Sequence, residues 1–277
     1  MDFLERMYRA SRKRAACLDD GYRIGSNSRD PLPDALQKRP GMGTPRLGIR
    51  ERRPGRAGMP VRELRPVLRN MAVIAEVKYA TPAEGDLGIT LSPSELAAQY
   101  ESLGAAAVSC LTEPCFFRGS LDHLSQVRAA CSLPVIMKDF IADERQIAAG
   151  RAAGADAVLL ITEMLSSAEL RRLFECARSL GMDCLVEVHG PEGLEKAMSA
   201  GARIIGVNAR DLTTLKVDPA RHEEMASLLP PGVARVAESG VTSSRRLGEL
   251  RSLGYDAALI GRAMGAEHTR REIFGCG

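Results

Sequence analysis

The 277-residue sequence predicts an α/β fold, a (β/α)₈ or TIM barrel preceded by an N-terminal helical extension. After residue 71, short apolar runs recur eight times, with stretches of helical spacing between them. The runs are apolar throughout rather than alternating, which is typical of parallel strands that are buried on both faces. Eight strand–helix units within about 200 residues favour a closed barrel.

The eight predicted strands follow one another from Ala72 to the C-terminal region. They are "AVIAEV" from Ala72, "AAAVSCL" from Ala105, "PVIMK" from Pro134, "DAVLLI" from Asp156, "CLVEV" from Cys184, "RIIGVN" from Arg203, "ARVAES" from Ala234 and "DAALIG" from Asp256. Most of the intervening stretches, such as "SSAELRRLFECARSLGM", begin with a capping residue and end on glycine, as helices do. A doubly wound sheet is the alternative, but it more often carries G-x-G-x-x-G where this chain has "EVKYATPAEG".

The predicted domain boundary lies at residue 70. We expect residues 71–277 to form the catalytic barrel and residues 1–70 to form the extension, with "FLERMYRASRKRAACL" and "PVRELRPVLRNM" as its two helices. Residues 1–70 hold 17 Lys and Arg against 8 Asp and Glu, although the whole chain has a net charge of +3. The basic tract 46–58 has no aromatic residues to stack on bases, which favours a solvated, partly disordered segment over a nucleic-acid site.

Cysteine usage and hydropathy indicate the compartment. The seven cysteines form no C-x-x-C pair and do not group with the four histidines, so neither a metal site nor a disulfide framework is predicted. The N-terminus lacks an apolar signal region, and no run approaches the roughly 20 apolar residues that cross a bilayer. We therefore expect a soluble, cytoplasmic protein with no membrane partner.

Charged and polar residues stand where the predicted strands end. Barrel enzymes place their active sites at this C-terminal rim. An unpaired buried charge costs several kcal/mol, so these groups should compensate one another, and salt bridges that only stabilise the mouth are the alternative interpretation. The rim residues, from five strands, are Glu76, Lys78, Lys138, Glu187, Asn208, Arg210, Glu238 and Ser239.

Two glycine turns predict a phosphorylated small-molecule substrate. The turns "ESG" and "IGRAM" follow the seventh and eighth strands, where barrels often bind phosphate through backbone N–H groups. Lys78 and the loop "ATPAEG" after the first strand would close this cup, because the first strand adjoins the eighth in a closed barrel.

Several motifs together resemble one known family. In order from Ala72 to Gly265, "IAEVKYATPAEG", "LTEPCFFRGSLDHL", "PVIMKDFIADERQI", "LVEVH", "GARIIGVNARDL", "VAESGV" and "DAALIGRAMG" are similar to indole-3-glycerol phosphate synthase of tryptophan biosynthesis. The resemblance implies ring closure, decarboxylation and dehydration of 1-(2-carboxyphenylamino)-1-deoxyribulose 5-phosphate without a metal or organic cofactor. Docking with other enzymes of the pathway is left open.

The resemblance also implies roles for the rim residues. Lys138 of "KDF" protonates the substrate ketone, Glu187 and Lys78 supply the base and the further acid for dehydration, and Glu76 and Glu238 balance the lysines. Asp139 is expected to face the other side of the strand as a structural partner. Catalytic residues are Lys138, Glu187, Lys78, Glu76, Asn208 and Glu238; substrate-binding residues are Arg210, Ser239, Phe117, Phe140 and Leu159; phosphate-binding residues are Lys78, Thr81, Gly240, Gly261 and Arg262.

One loop departs from the family pattern, and two other functions are alternatives. "KYATPAEG" has Thr81 and Ala83 where the family has two serines, so one hydroxyl is kept and one is lost. Phosphoribosylanthranilate isomerase would use a cysteine and an aspartate, whereas the first strand here offers Glu76 and Lys78. A non-catalytic barrel that acts through its basic N-terminus would be free to lose its rim residues.

Overall fold

The computed structural model describes residues 3–18, 59–261 and 267–275, and it contains a closed parallel barrel of eight strands. Each predicted apolar run contains one strand, so the predicted barrel is confirmed. A two-stranded antiparallel hairpin, β2 and β3, follows the first strand. The strands are β1 Ala72–Val77, β2 Ala80–Thr81, β3 Gly85–Asp86, β4 Ala107–Leu111, β5 Val135–Lys138, β6 Ala157–Ile161, β7 Asp183–Val188, β8 Ile204–Asn208, β9 Ala234–Glu238 and β10 Ala257–Ile260.

Helices alternate with the barrel strands, and side chains fix where many of them begin. Ser92 and Ser166 form capping boxes with Glu95 and Glu169, which satisfies backbone N–H groups of the first turn. In the described part of the chain, none of the helices has the length and apolar character that spanning a membrane requires. The helices are α1 Phe3–Ala16, α2 Pro93–Ser102, α3 Leu121–Ala130, α4 Glu144–Ala153, α5 Ser167–Ser179, α6 Pro191–Ser199, α7 Ala220–Ala226, α8 Ser244–Ser252 and α9 Glu267–Phe274.

The strands separate the core into two clusters. Ile74, Ile136 and Leu185 belong to the cluster inside the barrel, whereas Ala75 and Val77 belong to the larger cluster between barrel and helices. Because side chains alternate along a strand, a residue two positions after an inward-facing one also faces inward. In several strands the last inward-facing residue is polar, so polar side chains meet at the C-terminal end of the barrel.

The predicted N-terminal helix is confirmed as α1, and it packs on the C-terminal end of the barrel. Ser11 donates a hydrogen bond to the carbonyl oxygen of Phe140. The guanidinium of Arg14 lies 2.6 Å from Oδ1 of Asp139 and 3.3 Å from Oε1 of Glu113. Asp139 also accepts a hydrogen bond from Thr112 at 2.8 Å, so it links two strand ends to α1.

The prediction of a second helix in "PVRELRPVLRNM" is wrong. This segment contains one short 3₁₀ turn, Arg65–Val67, and otherwise runs across the N-terminal end of the barrel. The backbone N–H groups of Arg62 and Leu64 donate to Asp156 and Asp183 at 2.8 and 2.9 Å, and Pro66 has no N–H to donate. Leu64 and Leu68 are buried in the interior cluster, and their burial stabilises this segment in place of helical hydrogen bonds.

Candidate active site

Lys138 lies at the centre of the polar rim. It ends β5, and its Nζ is 2.9 Å from Oε2 of Glu238 and 3.4 Å from Oε2 of Glu76. Burial acts to lower the pKa of Lys138, but the charges of Glu238 and Glu76 outweigh it, so the pKa is raised above its usual value. The ammonium form therefore persists through neutral pH, as a proton donor at this position requires.

Glu76 bridges the two rim lysines. Lys78 donates a hydrogen bond to Oε1 of Glu76, while Lys138 lies near the other oxygen. Burial alone would raise the pKa of Glu76, but the charges of Lys78 and Lys138 lower it to about 2. Gly261 lies directly beside this pair, and a Cβ there would lie 2.7 Å from Nζ of Lys78. The first and eighth barrel strands thus bring their site residues together, as predicted.

Glu238 is fully buried at the end of β9 and pairs in register with Asn208 of β8. Burial raises the pKa of Glu238, Lys138 partly offsets this effect, and Glu187 adds to it. Gly206 provides the space for this carboxylate, since a Cβ there would overlap Oε1 of Glu238 and lie 3.2 Å from Cδ1 of Leu185. Gly206 was not identified from the sequence, although it lies two residues before Asn208 and so faces inward.

Glu187 completes the group of buried carboxylates. Its side chain is 2% exposed on β7, and its charge helps to raise the pKa of Lys138. Within the described ranges, Oε1 of Glu187 has no aligned hydrogen-bond partner. Nε2 of His189 lies 3.6 Å from that oxygen. His189 was quoted in "VEVH" but not assigned, although its spacing from Glu187 places both on one side of the chain.

Residues assigned to the substrate carboxylate, to other substrate contacts and to phosphate lie at the ends of β8 and β9. Oδ1 of Asn208 accepts a hydrogen bond from the backbone N–H of Arg210 at 2.9 Å, and Nη1 of Arg210 donates to the carbonyl of Leu215 at 2.7 Å. Ser239 and Gly240 have φ values of 63° and 71°. The left-handed region is costly for serine, and strain of this kind concentrates at functional sites.

The predicted aromatic residues lie together beside the rim. The rings of Phe117 and Phe140 have centroids 6.3 Å apart, and Phe3 of α1 lies edge-on to Phe140 at 5.9 Å. Leu159 is buried in the interior cluster that also contains Phe140. The sequence did not predict that Phe3 would contribute to this apolar wall.

Thr81 and Arg262 are less directly placed. The hydroxyl of Thr81 accepts a hydrogen bond from the backbone N–H of Glu84 at 3.0 Å, which holds the turn of the β2–β3 hairpin. Arg262 lies outside the described residues, as does the basic tract 46–58.

Glu113 is a buried rim carboxylate that sequence reasoning missed. It accepts hydrogen bonds from the backbone N–H groups of Cys115 and Phe116 at 3.0 and 2.7 Å, in the loop that carries Phe117. Burial raises the pKa of Glu113, and the charge of Arg14 partly offsets this effect. Glu113 could have been identified from the sequence, because it is a charged residue two positions after an apolar strand.

One cavity in the described part of the chain lies away from this rim. It has a volume of about 750 Å³ and is lined by residues that include Arg65, Arg178, Asp183 and Arg203, at the N-terminal end of the barrel. None of the rim residues assigned above lines it. Barrel enzymes carry out their chemistry at the opposite end, so the charged rim is the better candidate.

Solved structures share the architecture. A crystal structure of KGPDC from Streptococcus mutans, solved as a complex, matches with a TM-score of 0.59 and 12% identity, over 74% of this chain and 95% of that one. A second structure of KGPDC from the same organism matches with a TM-score of 0.56 and 11% identity, over 74% and 94%. At these identities the likeness concerns the fold alone.

Sequence comparisons identify the family. The family model described as indole-3-glycerol phosphate synthase matches residues 54–274. The indole-3-glycerol phosphate synthase of Micrococcus luteus is 51% identical over 192 residues, which cover 69% of this chain and 72% of that protein. The enzyme of the same name from Mycobacteroides abscessus is 49% identical over 194 residues, covering 70% and 71%. The chain, with its barrel and its charged rim, therefore belongs to the indole-3-glycerol phosphate synthase family.

Proposed function

We propose that the inward-facing charges on β1, β5, β7 and β9 carry out the reaction of this family. The chain is a carboxy-lyase of tryptophan biosynthesis, which converts 1-(2-carboxyphenylamino)-1-deoxyribulose 5-phosphate to indole-3-glycerol phosphate. The observation that carries the assignment of roles is the position of Lys138, whose Nζ lies between Glu238 and Glu76 at the barrel mouth.

Lys138 is the acid of the ring-closing step. As the aromatic carbon attacks the ketone, negative charge develops on the ketone oxygen, and a positioned ammonium can transfer its proton there. Glu76 and Glu238 keep the lysine charged and fix its orientation. The carboxyl group then leaves as carbon dioxide, which restores aromaticity to the benzene ring.

Glu187 and Lys78 carry out the dehydration. The hydroxyl formed from the ketone leaves as water, which requires a base to remove one proton and an acid to deliver another. Glu187 is the base, and Lys78 is the acid placed across the barrel next to Glu76.

The binding roles are assigned to other residues of the rim and its loops. Asn208 and Arg210 hold the carboxylate of the anthranilate end, for which a guanidinium offers bidentate hydrogen bonds. Phe117, Phe140 and Leu159 pack on the aromatic ring. The phosphate is bound by Lys78, Thr81, Gly240, Gly261 and Arg262, and Ser239 contacts the substrate beside them.

The family reaction is tested by incubating the purified protein with 1-(2-carboxyphenylamino)-1-deoxyribulose 5-phosphate and following the fluorescence of the indole product. We expect turnover that survives a chelating agent, because the assigned residues carry out each step without a metal. Absence of product with intact, folded protein would contradict the proposal.

Replacing Lys78 with glutamine should affect both binding and chemistry. Loss of a charged hydrogen bond costs about 1.5–3 kcal/mol, so the inhibition constant of inorganic phosphate should rise at least about ten-fold. The kcat should fall by about 10²-fold, because the second acid is lost. An unchanged phosphate constant would remove Lys78 from the phosphate site, and an unchanged kcat would remove it from the dehydration.

Replacing Gly206 with alanine should displace Glu238 from Lys138. The new Cβ would overlap Oε1 of Glu238, and this side chain is fully buried, so we expect a loss of about 1–3 kcal/mol in the free energy of unfolding. The kcat should fall because Lys138 loses its 2.9 Å partner. Gly248→Ala is the matched control, since a Cβ at this helical position has open space. Equal kcat in both variants would contradict the role of Glu238.

Location, domain division and partners are part of the proposal. The buried cysteines of the described residues, Cys110, Cys131 and Cys184, are free thiols, which supports a reducing compartment such as the cytoplasm. We assign residues 71–277 to the catalytic barrel and residues 1–70 to the extension, and β1 begins at Ala72.

Whether other enzymes of tryptophan biosynthesis dock on this chain is tested by co-purification with each of them.

A further inference from the structure

His189 lies between two carboxylates at the end of β7. Its Nδ1 is 2.8 Å from Oε2 of Glu163, and its Nε2 is 3.6 Å from Oε1 of Glu187. Both separations are within ion-pair range, but neither ring nitrogen has an aligned hydrogen-bond partner in the described residues, so these are contacts between charges. The imidazole is 11% exposed, so these contacts lie largely out of water.

Glu163 is itself held in place by several contacts. Its Oε1 accepts a hydrogen bond from the backbone N–H of His189 at 3.0 Å, and Thr162 donates to Oε2 at 3.0 Å. Gly193, in the first turn of α6, provides the space for this arrangement. A Cβ there would lie 2.8 Å from Oε1 of Glu163 and 2.6 Å from Oγ1 of Thr162. Hydrogen bonds and close packing therefore hold the Glu163 carboxylate next to His189.

The surrounding charges favour the imidazolium form. Burial acts to lower the pKa of His189, but the close contact with Glu163 and the charges of Glu187 and Glu163 raise it overall, against the charge of Arg221 on α7. Burial likewise acts to raise the pKa of Glu163, whereas His189 lowers it overall. These pKa shifts agree in direction, as expected for a charged pair.

We propose that Glu163 and His189 form a positioning pair that orients the Glu187 carboxylate for the dehydration step. This inference rests on the proposed function, which makes Glu187 the base. Oε1 of Glu187 and Nε2 of His189 both lack an aligned hydrogen-bond partner in the described part of the protein and lie 3.6 Å apart, so the imidazolium can orient this oxygen from the side of His189. Glu163 keeps that imidazolium charged without touching the reacting atoms.

The pair gives the reaction a specific pH dependence. A pKa that is raised above its usual value means that the cation is present at low pH and is lost as pH rises through the raised pKa. The pKa of Lys138 is also raised, from a much higher starting point, so Lys138 keeps its proton over this range. Loss of kcat as pH rises through the raised pKa of His189 is therefore the expected signature, because Glu238, whose pKa is raised to about 7, gains charge rather than losing it as pH rises.

Glu163→Gln tests the pair, because it removes the charge and keeps the shape. The imidazole C–H resonances of the four histidines are titrated by NMR, and the His189 signal is identified by its absence in His189→Gln. We expect the pKa of His189 to fall by about one unit in Glu163→Gln. At pH 8 the kcat should be about ten-fold lower than in the unsubstituted protein, and at pH 6 within about two-fold, with KM unchanged.

Gly193→Ala provides a second route to the same state. Its Cβ should push the flexible end of Glu163 away from His189, and we expect the same downward shift of the His189 titration and the same loss of kcat at pH 8. Gly248→Ala is the matched control, since both positions are helical and no atom lies within 4 Å of a Cβ at Gly248.

The outcomes separate this inference from the proposed function. An unshifted His189 titration in Glu163→Gln, or kcat–pH profiles that superimpose on those of the unsubstituted protein, would overturn the positioning pair while leaving the proposed function intact. If the unsubstituted protein forms no indole product, the proposed function fails, yet the NMR titration still reports whether Glu163 sets the charge of His189.

Discussion

Replacing Lys138 with alanine is expected to lower kcat for indole-3-glycerol phosphate formation by about 10³-fold, with a much smaller change in KM. The ammonium transfers its proton as the ring closes, so its loss raises the barrier of the step that must precede all others. Lys138 has two carboxylate partners, and their charge raises its pKa, so the native side chain is a charged donor at neutral pH. The alanine variant has no such donor at any pH. The measurement is indole fluorescence at saturating substrate.

The matched controls for Lys138 separate charge from folding. Lys138→Met keeps most of the side-chain volume and should lose as much activity as Lys138→Ala. Lys196→Ala removes a lysine from α6 that pairs with the exposed Glu192, and it should leave kcat unchanged. Circular dichroism checks the fold, since removing Lys138 leaves Glu238 buried without the lysine that pairs with it. Turnover by Lys138→Met close to that of the unsubstituted protein would refute the assignment.

The central charges of the site follow from periodicity. Alternation along a strand places Glu76 and Lys78 on one side, and the closed order of the barrel brings them beside the eighth strand. The same reasoning brought Lys138 and Glu238 to one rim, although 100 residues separate them in sequence. Fold class was enough to predict that they meet, because parallel strands all end at the same face.

Other features depend on contacts that no local pattern reports. Arg14 reaches Glu113 across 99 positions of sequence, and the approach of α1 to this rim is a matter of tertiary packing. The segment around Leu64 has helical spacing, yet its N–H groups bond to aspartates at the beginnings of β6 and β7, and its leucines close the barrel. Gly206 and Gly193 could not be identified from the sequence, because their role is to leave space for the carboxylates of Glu238 and Glu163.

Replacing Glu187 with glutamine should lower kcat by about 10²–10³-fold and separate decarboxylation from dehydration. If Glu187 removes the proton that accompanies loss of water, ring closure and loss of carbon dioxide precede its action. With substrate labelled in the carboxyl carbon, one equivalent of carbon dioxide should be released per enzyme in a rapid first turnover. Indole fluorescence should then rise slowly, because the hydroxylated intermediate accumulates in the site.

Lys138→Ala gives the opposite pattern in the same experiment, since it blocks the first step and should slow carbon dioxide release and indole formation equally. Glu192→Gln is the control, because it makes the same change on a side chain of α6 that is 88% exposed. If Glu187→Gln slows carbon dioxide release as much as it slows indole formation, Glu187 acts before the carboxyl group leaves. The positions of Lys138 and Glu187 on two separate strands would then serve one chemical step, and Lys78 would be left to complete the dehydration from the first strand.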